Sequence, residues 1–394
     1  MSDFPRFRSG HGIRPRDWLV NPQWHHVGAP EDLDALPEDA AFTVVRSVSA
    51  QALGTLPTST RALQLSWCSD VDDRSLALLA RLPALEWLFI DHPLHPKLSV
   101  AGLRVLQQLP ALRSFALRAR PEEANTPSLE SAHLAPLDGL PLRSLALVNH
   151  PALDDLSLLD ALPGLDTLDL SGCPVRSGLS VRGLTSLHLN GRTPLSQETW
   201  AAIGHMSRLR VLSACQREGD ALLPVVLPAL EDAYLYGSRG LSVRGPALRR
   251  LDLGGVALPA PESLADLRVL RLSAHRLDRT HLAALGRAES LWLEGGSPKL
   301  VPADWAHLTG CRRLTLSCAL KLSAAHLTAI GSLSLEELHI YKGGERLKPT
   351  VLSGLAALTS ARWIHLEGCR DVAVLRAALP GVRITTEATA PVRR

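Results

Sequence analysis

LDTLDL, residues 165–170, and LTSLHL, residues 184–189, share one spacing of leucine, L-x-x-L-x-L. The second and third leucines of each stretch are two residues apart, so both point to the same face of a β-strand. Each stretch therefore predicts a short strand with one leucine-bearing face. A single copy is weak evidence, because leucine is a common residue, and the fold is decided by how often the pattern returns.

The stretch recurs along most of the chain. Allowing replacements of single leucines, we find 14 copies. They start at residues 60, 85, 112, 142, 165, 184, 209, 230, 248, 267, 288, 311, 335 and 361. The mean period is roughly 23 residues, which is typical of a repeat architecture. Composition agrees, because the 394 residues include 78 leucines but only 5 Phe and 3 Tyr. A core built from one aliphatic residue type indicates one packing arrangement used many times.

A leucine pattern with this period resembles the leucine-rich repeat (LRR) family, whose repeats are about 20–29 residues long. The resemblance covers roughly residues 40–385. It implies an α/β fold, a curved, horseshoe-shaped LRR solenoid. A parallel β-sheet would line its concave side, and short helices mixed with extended segments would form its convex side. The excess of arginine, 37 Arg to 5 Lys, favours a bacterial protein, and we expect the cytoplasmic type with irregular repeats.

The domain organisation follows from where the repeat begins and ends. We predict an N-terminal cap over residues 1–57 and leucine-rich repeats over residues 58–371. A C-terminal cap, made of one helix and a short strand, is predicted over residues 372–385, followed by a flexible tail over residues 386–394.

The segments between the predicted strands are of two kinds. In residues 69–83, 196–209 and 277–291, Ser or Asp is followed by apolar residues at three-four spacing, which predicts a capped helical turn. Elsewhere the repeat is too short for a helix, because the copies at 165, 184, 230, 248 and 267 start closer to a neighbour than the mean period. These shorter connections are predicted to be extended.

The hexapeptide GLSVRG occurs twice, at residues 178–183 and 240–245. Its paired glycines could form a phosphate-binding loop, but such a loop leads from a strand into a helix N-terminus. Both copies instead precede a predicted strand, with no Lys-Ser/Thr end and no third glycine. The hexapeptide therefore predicts a structural turn in which Leu179 and Val181 point inward.

Among the residues of this sequence, the cysteines come closest to forming a catalytic motif. The LRR family often has Asn or Cys three residues after the last strand leucine, which is where Cys68, Cys173 and Cys369 lie. Cys68 and Cys369 also belong to C-x-D sequences, which some bacterial LRR ubiquitin ligases use in a separate helical domain. Because both copies lie inside repeats here, we expect structural thiols.

No other motif predicts chemistry. The sequence has no C-x-x-C, H-E-x-x-H, G-x-S-x-G or P-loop pattern, so we predict no catalytic, metal or cofactor site. A net charge of +3 does not favour nucleic-acid or membrane binding. The N-terminus lacks the apolar region of a secretory signal, and we expect a cytoplasmic location.

The predicted concave face is rich in aromatic residues. Positions three, five and seven of the 14 copies are 42 positions, about 11% of the chain, yet they hold seven of its 16 aromatics. Aromatics favour strands in general, which accounts for part of this excess. The predicted partner-binding residues are these seven and five neighbouring basic or imidazole side chains: Trp87, Phe89, Tyr234, Tyr236, Trp292, Tyr341 and Trp363, with Arg250, Arg271, Arg313, His339 and His365. Nearby carboxylates, such as Asp252 and Glu294, provide an alternative role for the arginines as intramolecular ion pairs.

These observations favour a non-enzymatic scaffold that binds another protein through the concave sheet. The family resemblance implies roles such as adaptor, specificity subunit or toxin-neutralising partner. The alternative is an accessory subunit of an enzyme complex, or an enzyme with its chemistry in the irregular N-terminal region, which contains Trp18, Trp24, His25 and His26.

Overall fold

The structure, a computed structural model, describes 15 ranges of the chain. They are 24–46, 49–68, 71–91, 98–119, 129–175, 179–191, 195–216, 225–237, 243–254, 258, 260–273, 277–294, 300–317, 322–341 and 347–387. The predictions for residues 1–23, for Asp70, for the first three residues of the second GLSVRG and for most of the C-terminal tail fall outside them.

Two compact units divide the chain. The N-terminal unit comprises Met1–Gly219 and Val225–Leu230, and the C-terminal unit comprises Asp220–Pro224 and Glu231–Arg394. Each unit has its own series of parallel strands and is described separately below.

Within the described residues, the strands of the N-terminal unit are β1 to β10, and those of the C-terminal unit are β11 to β19. The first set is β1 (Trp24–Val27), β2 (Phe42–Arg46), β3 (Ala62–Ser66), β4 (Trp87–Asp91), β5 (Ser114–Arg118), β6 (Ser144–Val148), β7 (Thr167–Asp169), β8 (Ser186–Asn190), β9 (Val211–Gln216) and β10 (Val225–Val226). The second set is β11 (Asp232–Gly237), β12 (Val243–Arg244), β13 (Arg250–Gly254), β14 (Val269–Ser273), β15 (Ser290–Glu294), β16 (Arg313–Ser317), β17 (Glu337–Ile340), β18 (Trp363–Leu366) and β19 (Arg383–Thr385).

Short helices connect many of these strands. The described α-helices are α1 (Pro30–Asp34), α2 (Asp73–Ala77), α3 (Val100–Leu103), α4 (Gln197–Gly204), α5 (Arg279–Ala284), α6 (Ala324–Gly331), α7 (Pro349–Leu352) and α8 (Ala373–Ala378). The described 3-10 helices are Ala50–Thr55, Leu78–Arg81, Arg104–Gln108, Ser131–Leu137, Ser157–Ala161, Pro261–Leu264, Pro302–His307 and Ser353–Ala357.

Both units have a parallel sheet in which each strand pairs with the next in the series. In the N-terminal unit the series runs from β1 through β9. In the C-terminal unit it runs β11, β13 and then β14 through β19. The register is the same throughout, so the same repeat position stands side by side on neighbouring strands. This arrangement is the parallel sheet of an LRR solenoid, as the leucine pattern predicted.

The sheet continues into the region predicted as the N-terminal cap. Strands β1 and β2 lie within it and pair in register, with Trp24 opposite Phe42 and Phe42 opposite Ala62. Their sequences, WHHV and FTVVR, contain no leucine. The leucine pattern therefore could not reveal them, although valine packs on a strand equally well.

The leucines form the core on one side of each sheet. Leu88 and Leu145 in the N-terminal unit and Leu291 and Leu314 in the C-terminal unit are fully buried. Burying one such side chain contributes roughly 1.5–3 kcal/mol, so the repeated leucines are the main source of stability. Trp200 and Trp305, on the connecting helices, add the largest buried side chains of this core.

The three predicted helical connections are present and capped. The side chains of Asp72, Ser196 and Asp278 accept hydrogen bonds from backbone N–H groups in the first turns of α2, α4 and α5. A side-chain cap of this kind contributes about 1 kcal/mol. The shorter connections have 3-10 or extended structure, and in the first GLSVRG both Leu179 and Val181 are buried as predicted.

Three residues, each placed shortly after a strand, connect their own repeat to the preceding one. The thiols of Cys68 and Cys173 donate to the carbonyls of Val45 and Leu147, and the His150 Nε2 atom lies 3.2 Å from the carbonyl of Leu117. These carbonyls belong to the last core residue of the preceding strand. Either cysteine or histidine at this repeat position can therefore contact the same carbonyl group of the preceding strand.

Candidate functional site

The leucines occupy one side of each sheet, and positions three, five and seven of each copy occupy the other. We call this second side the outward face. The common register places position five of each strand beside position five of the next, about 4.8 Å away. The outward face is therefore a grid of side chains whose chemistry differs between the two units.

In the N-terminal unit the outward face carries an apolar stripe. It is formed by Phe42, Val44, Ala62, Trp87, Phe89, Ala116, Ala146 and Val148. The rings of Trp87 and Phe89 meet edge to face, with centroids 5.7 Å apart, and the Arg118 guanidinium lies over the Phe89 ring.

Trp87 and Phe89 differ from the sequence-based expectation of exposed aromatic anchors. Their exposed fractions are only 3% and 1%. They do lie on the outward face, at positions three and five of β4, but they are covered. The repeat position of a residue predicts which face of the sheet its side chain lies on, but not the solvent exposure of that side chain.

The C-terminal unit presents partly exposed aromatic rings at the same repeat positions. Near its beginning, Arg250 donates a hydrogen bond to the Tyr234 hydroxyl at 3.2 Å and lies 3.6 Å from the Asp232 carboxylate. Burial raises the pKa of Tyr234. The ring of Tyr236 lies over Gly254 on the neighbouring strand, where a Cβ would clash with the ring. Glycine is therefore required at residue 254 for this ring position.

Trp292 in β15 is held by a charged network. The Arg271 guanidinium stacks over its ring at 4.3 Å, and the same guanidinium pairs with Glu294 at 2.6 Å and approaches Asp252 at 3.9 Å. A stacked cation of this kind contributes roughly 0.5–2 kcal/mol. The network fixes the Trp292 side chain while leaving part of its ring exposed.

The last strands carry a cluster of four rings. His339 meets Trp363 edge to face with centroids 4.4 Å apart, and Tyr341 lies 5.0 Å from His365. Thr385 ties the cluster to β19, because its hydroxyl accepts the Trp363 indole N–H and bonds the His365 Nδ1 atom, both at 2.9 Å. Burial lowers the pKa of both His339 and His365. Of the predicted residues here, Trp363 is half-buried, while His339, Tyr341 and His365 are buried.

Arg313 is an exposed position-three residue of β16. Eight other arginines lie at position two of a copy, outside the outward face, and several of them pair with carboxylates of the next copy. Such pairs include Arg61–Glu86, Arg143–Asp166, Arg268–Glu289 and Arg312–Glu336. The alternative role of arginine as an intramolecular partner thus holds at position two, and also for Arg250 and Arg271 on the outward face.

A polar group on β7 and β8 was not anticipated from the sequence. The Ser186 hydroxyl lies 2.9 Å from His188 Nε2, and Asp169 stands opposite His188 on the adjacent strand. Burial lowers the pKa of His188, and the Asp169 charge opposes that effect. Ser186 and His188 are 9% and 3% exposed, which leaves no access for a substrate carbonyl, so this is a satisfied buried pair. Aligning position five of successive copies would have placed Asp169 beside His188.

The cysteines of the two C-x-D sequences are buried. Burial raises the pKa of Cys369, and Cys68 is likewise enclosed behind its strand. A nucleophilic cysteine requires an accessible thiolate. Among the residues that the structure describes, no group of three or more His, Cys, Asp or Glu side chains could hold a metal ion.

Comparison with known proteins gives solved structures with the same fold. An internalin of Listeria monocytogenes aligns with a TM-score of 0.50 and 19% identity, covering 85% of this chain and 88% of that chain. An LRR protein of Leptospira interrogans gives 0.51 and 15%, with 91% and 99% covered. TLR13, solved as a complex with ssRNA13, gives 0.52 and 22%, with 87% and 48% covered.

No family model matches the sequence, and no curated protein does. Within the described ranges, every helix is too short or too polar to cross a membrane. The repeated leucine pattern, the parallel sheets in constant register and the solved structures agree. The chain therefore has the fold of a leucine-rich-repeat solenoid.

Proposed function

We propose that this protein is a non-enzymatic scaffold that binds a protein partner through the outward face of its C-terminal unit. The observation that carries the proposal is the Arg271–Trp292 stack with its carboxylate pair. It offers a large ring that is already fixed before any partner arrives. Binding to a fixed ring loses less side-chain entropy than binding to a mobile one.

The proposed surface comprises Tyr234, Tyr236, Arg250, Arg271, Trp292, Arg313 and Trp363. The predicted residues His339, Tyr341 and His365 are buried and would act by holding Trp363 in its cluster. The half-buried anchors of the surface are Trp292, Trp363, Tyr234 and Tyr236, and its exposed cations are Arg250 and Arg313. Trp, Tyr and Arg are the residues that dominate protein–protein binding energy. Since Arg271 is already paired with carboxylates, it would act through the position of Trp292, and the exposed arginines would meet polar or acidic groups at the rim.

Trp87 and Phe89 were predicted for the same role. Because they are only 3% and 1% exposed, they offer no accessible ring to a partner, and they are not included in this proposal.

The test compares the double variant Trp292→Ala/Trp363→Ala with the wild type in affinity capture from cells of the source organism, followed by mass spectrometry. The matched control is Leu158→Ala/Val301→Ala, which removes two apolar side chains that are 42% and 56% exposed and lie outside the outward face. Any protein captured by the wild type and the control, but not by the double variant, is then purified, and its Kd is measured for all three chains.

We expect the double variant to raise that Kd by roughly a thousandfold, since two anchor residues each cost roughly 2 kcal/mol. Equal dissociation constants for wild type and double variant, with unchanged circular dichroism, would overturn the assignment of this surface.

A further inference from the structure

The pairing of arginine with the next copy breaks down towards the end of the C-terminal unit. Several arginines at position two pair with a carboxylate at the same position of the following copy, as in Arg268–Glu289. Arg362 also stands at position two, but the corresponding residue before β19 is the uncharged Val382. Arg362 is exposed and forms no ion pair with any residue that the structure describes.

Two arginines at position three of the same strands are in a similar state. Arg313 stands beside Glu337 in register, but the Glu337 carboxylate lies 3.6 Å from His339 Nε2, and within the described ranges no ion pair joins it to Arg313. Arg383 belongs to β19, the last described strand, and its guanidinium lies over the Trp363 ring at 5.3 Å. Both arginines are exposed.

Arg313, Arg362 and Arg383 together form what we call the cationic row, at the beginnings of β16, β18 and β19. Positions two and three of β16 to β19 hold four arginines and two glutamates, a net charge of +2. The same positions of β11, β13, β14 and β15 hold three arginines and three carboxylates. The excess of positive charge in this sheet is therefore confined to its last strands, where it would attract carboxylates from another molecule.

We propose that the cationic row binds an acidic segment of the protein partner, in extended conformation and running across the strands. Three strand spacings separate β16 from β19, about 14 Å. Alternate side chains of an extended segment are roughly 6.7 Å apart, so three carboxylates at alternate positions span about 13 Å. This inference rests on the proposed function and adds Arg362 and Arg383 to its surface.

A single-stranded nucleic acid would bring negative charge in a different form, and the row is less suited to it. Such ligands stack their bases on the exposed faces of aromatic rings. One face of Trp363 lies under Arg383, and the ring also meets His339 edge to face at 4.4 Å. Glu337 stands between β16 and β18 in the register, where it would repel a continuous chain of phosphates. These contacts favour separate carboxylates.

The experiment measures binding of the full chain to three fluorescein-labelled probes by fluorescence anisotropy at low ionic strength. The probes are a heptapeptide in which three glutamates alternate with serines, the same peptide with glutamines, and a seven-nucleotide oligouridine. The row variant is Arg313→Gln/Arg362→Gln/Arg383→Gln. The matched control, Arg61→Gln/Arg143→Gln/Arg268→Gln, removes three arginines that have carboxylate partners, so its net charge equals that of the row variant.

We expect the glutamate peptide to bind the wild type and the control alike, and the row variant roughly tenfold more weakly, because three exposed ion pairs are lost. The glutamine peptide should not bind. Equal weakening in the row variant and the control would overturn the proposal, because it would reflect net charge alone. So would failure of the glutamate peptide to bind the wild type, or tighter binding of oligouridine that depends on the row.

The captured partner separates this inference from the proposed function. The proposed function is decided by Trp292→Ala/Trp363→Ala, and the acidic segment is decided by the row variant. A partner that is lost with the tryptophan substitutions but binds the row variant as tightly as the wild type would overturn this inference alone.

Discussion

The outward faces of the two units use the same strand positions for different purposes. In the N-terminal unit, positions three and five of β4 carry Trp87 and Phe89, which are buried among alanines. In the C-terminal unit, position five of β15 carries Trp292, which is half-buried and stacked by a paired arginine. The backbone and the leucine core are alike in both units. The difference teaches that the exposure of an aromatic on an LRR sheet depends on the size and charge of its cross-strand neighbours and on what covers them.

The largest expected effect contrasts one ring from each unit. We expect Phe89→Ala to lower the free energy of unfolding by about 3–5 kcal/mol, the usual cost of emptying a buried ring site. Trp292→Ala should cost about 1–2 kcal/mol, because it loses one cation–π contact and only part of a buried ring. Urea unfolding followed by circular dichroism measures both. Equal losses would mean that the two faces are buried alike.

A second prediction concerns His150, behind the sheet of the N-terminal unit. Its Nδ1 accepts the Leu129 N–H and its Nε2 faces the Leu117 carbonyl, which together require the neutral ring. Burial lowers its pKa from 6.5 to about 4. The unfolded chain then binds a proton at a higher pH than the folded chain, so this residue reduces stability as the pH falls from about 6.5 to 4.

The expected loss is about 3 kcal/mol over that pH range. His150→Asn keeps a side chain that can donate to the Leu117 carbonyl and removes the ionisable ring, so it should flatten this part of the stability–pH curve. His205→Asn, at an exposed histidine after α4, is the matched control and should leave the curve as it is in the wild type. A variant curve parallel to that of the wild type would contradict the role of His150.

A third prediction tests whether the leucine-bearing sides of the two sheets bury their cysteines to the same extent. Burial raises the pKa of Cys173 to about 12 and that of Cys311 to about 11. At pH 8 we expect iodoacetamide to label both at least about tenfold more slowly than half-buried Cys215, because the thiolate is the reacting form. Peptide mass spectrometry over time gives the rates. Rapid labelling of Cys311 but not of Cys173 would show that the two inner sides differ.

The smallest expected effect is at position two. Arg61→Ala in the N-terminal unit and Arg312→Ala in the C-terminal unit each remove one exposed ion pair. We expect each to change the free energy of unfolding by less than about 1 kcal/mol, because exposed ion pairs are solvated in both states. Urea unfolding at low and high salt measures the change. A loss well beyond that range for either variant would show that the pair is coupled to the core.

Much of the fold could be predicted from the leucines, because their spacing reports a strand and their period reports the repeat. Strands β1 and β2 could not be predicted from this pattern, since they have histidine, threonine and valine in place of leucine. His150 also escaped it, because a histidine can occupy the place of the family's asparagine when both ring nitrogens find backbone partners.

The candidate site could be predicted only as a set of residues. Position counting brought Arg271 and Trp292 to the same face, and their adjacency follows from the shared register. The burial of Trp87 could not be predicted, because the register gives only its neighbours on the adjacent strands, Ala62 and Ser114, and both are smaller than the ring.

The constant register has a consequence for how this protein can change. Strands β5 and β6 pair Ser114 with Ser144, whereas β11 and β13 pair Asp232 with Arg250, which is much nearer to it in the sequence. The extra residues of the longer repeat are absorbed by its connection, and the strands remain side by side. Insertions and deletions in these connections can therefore accumulate during evolution, or be engineered as attachment points for labels, while the spacing of the outward side chains stays constant.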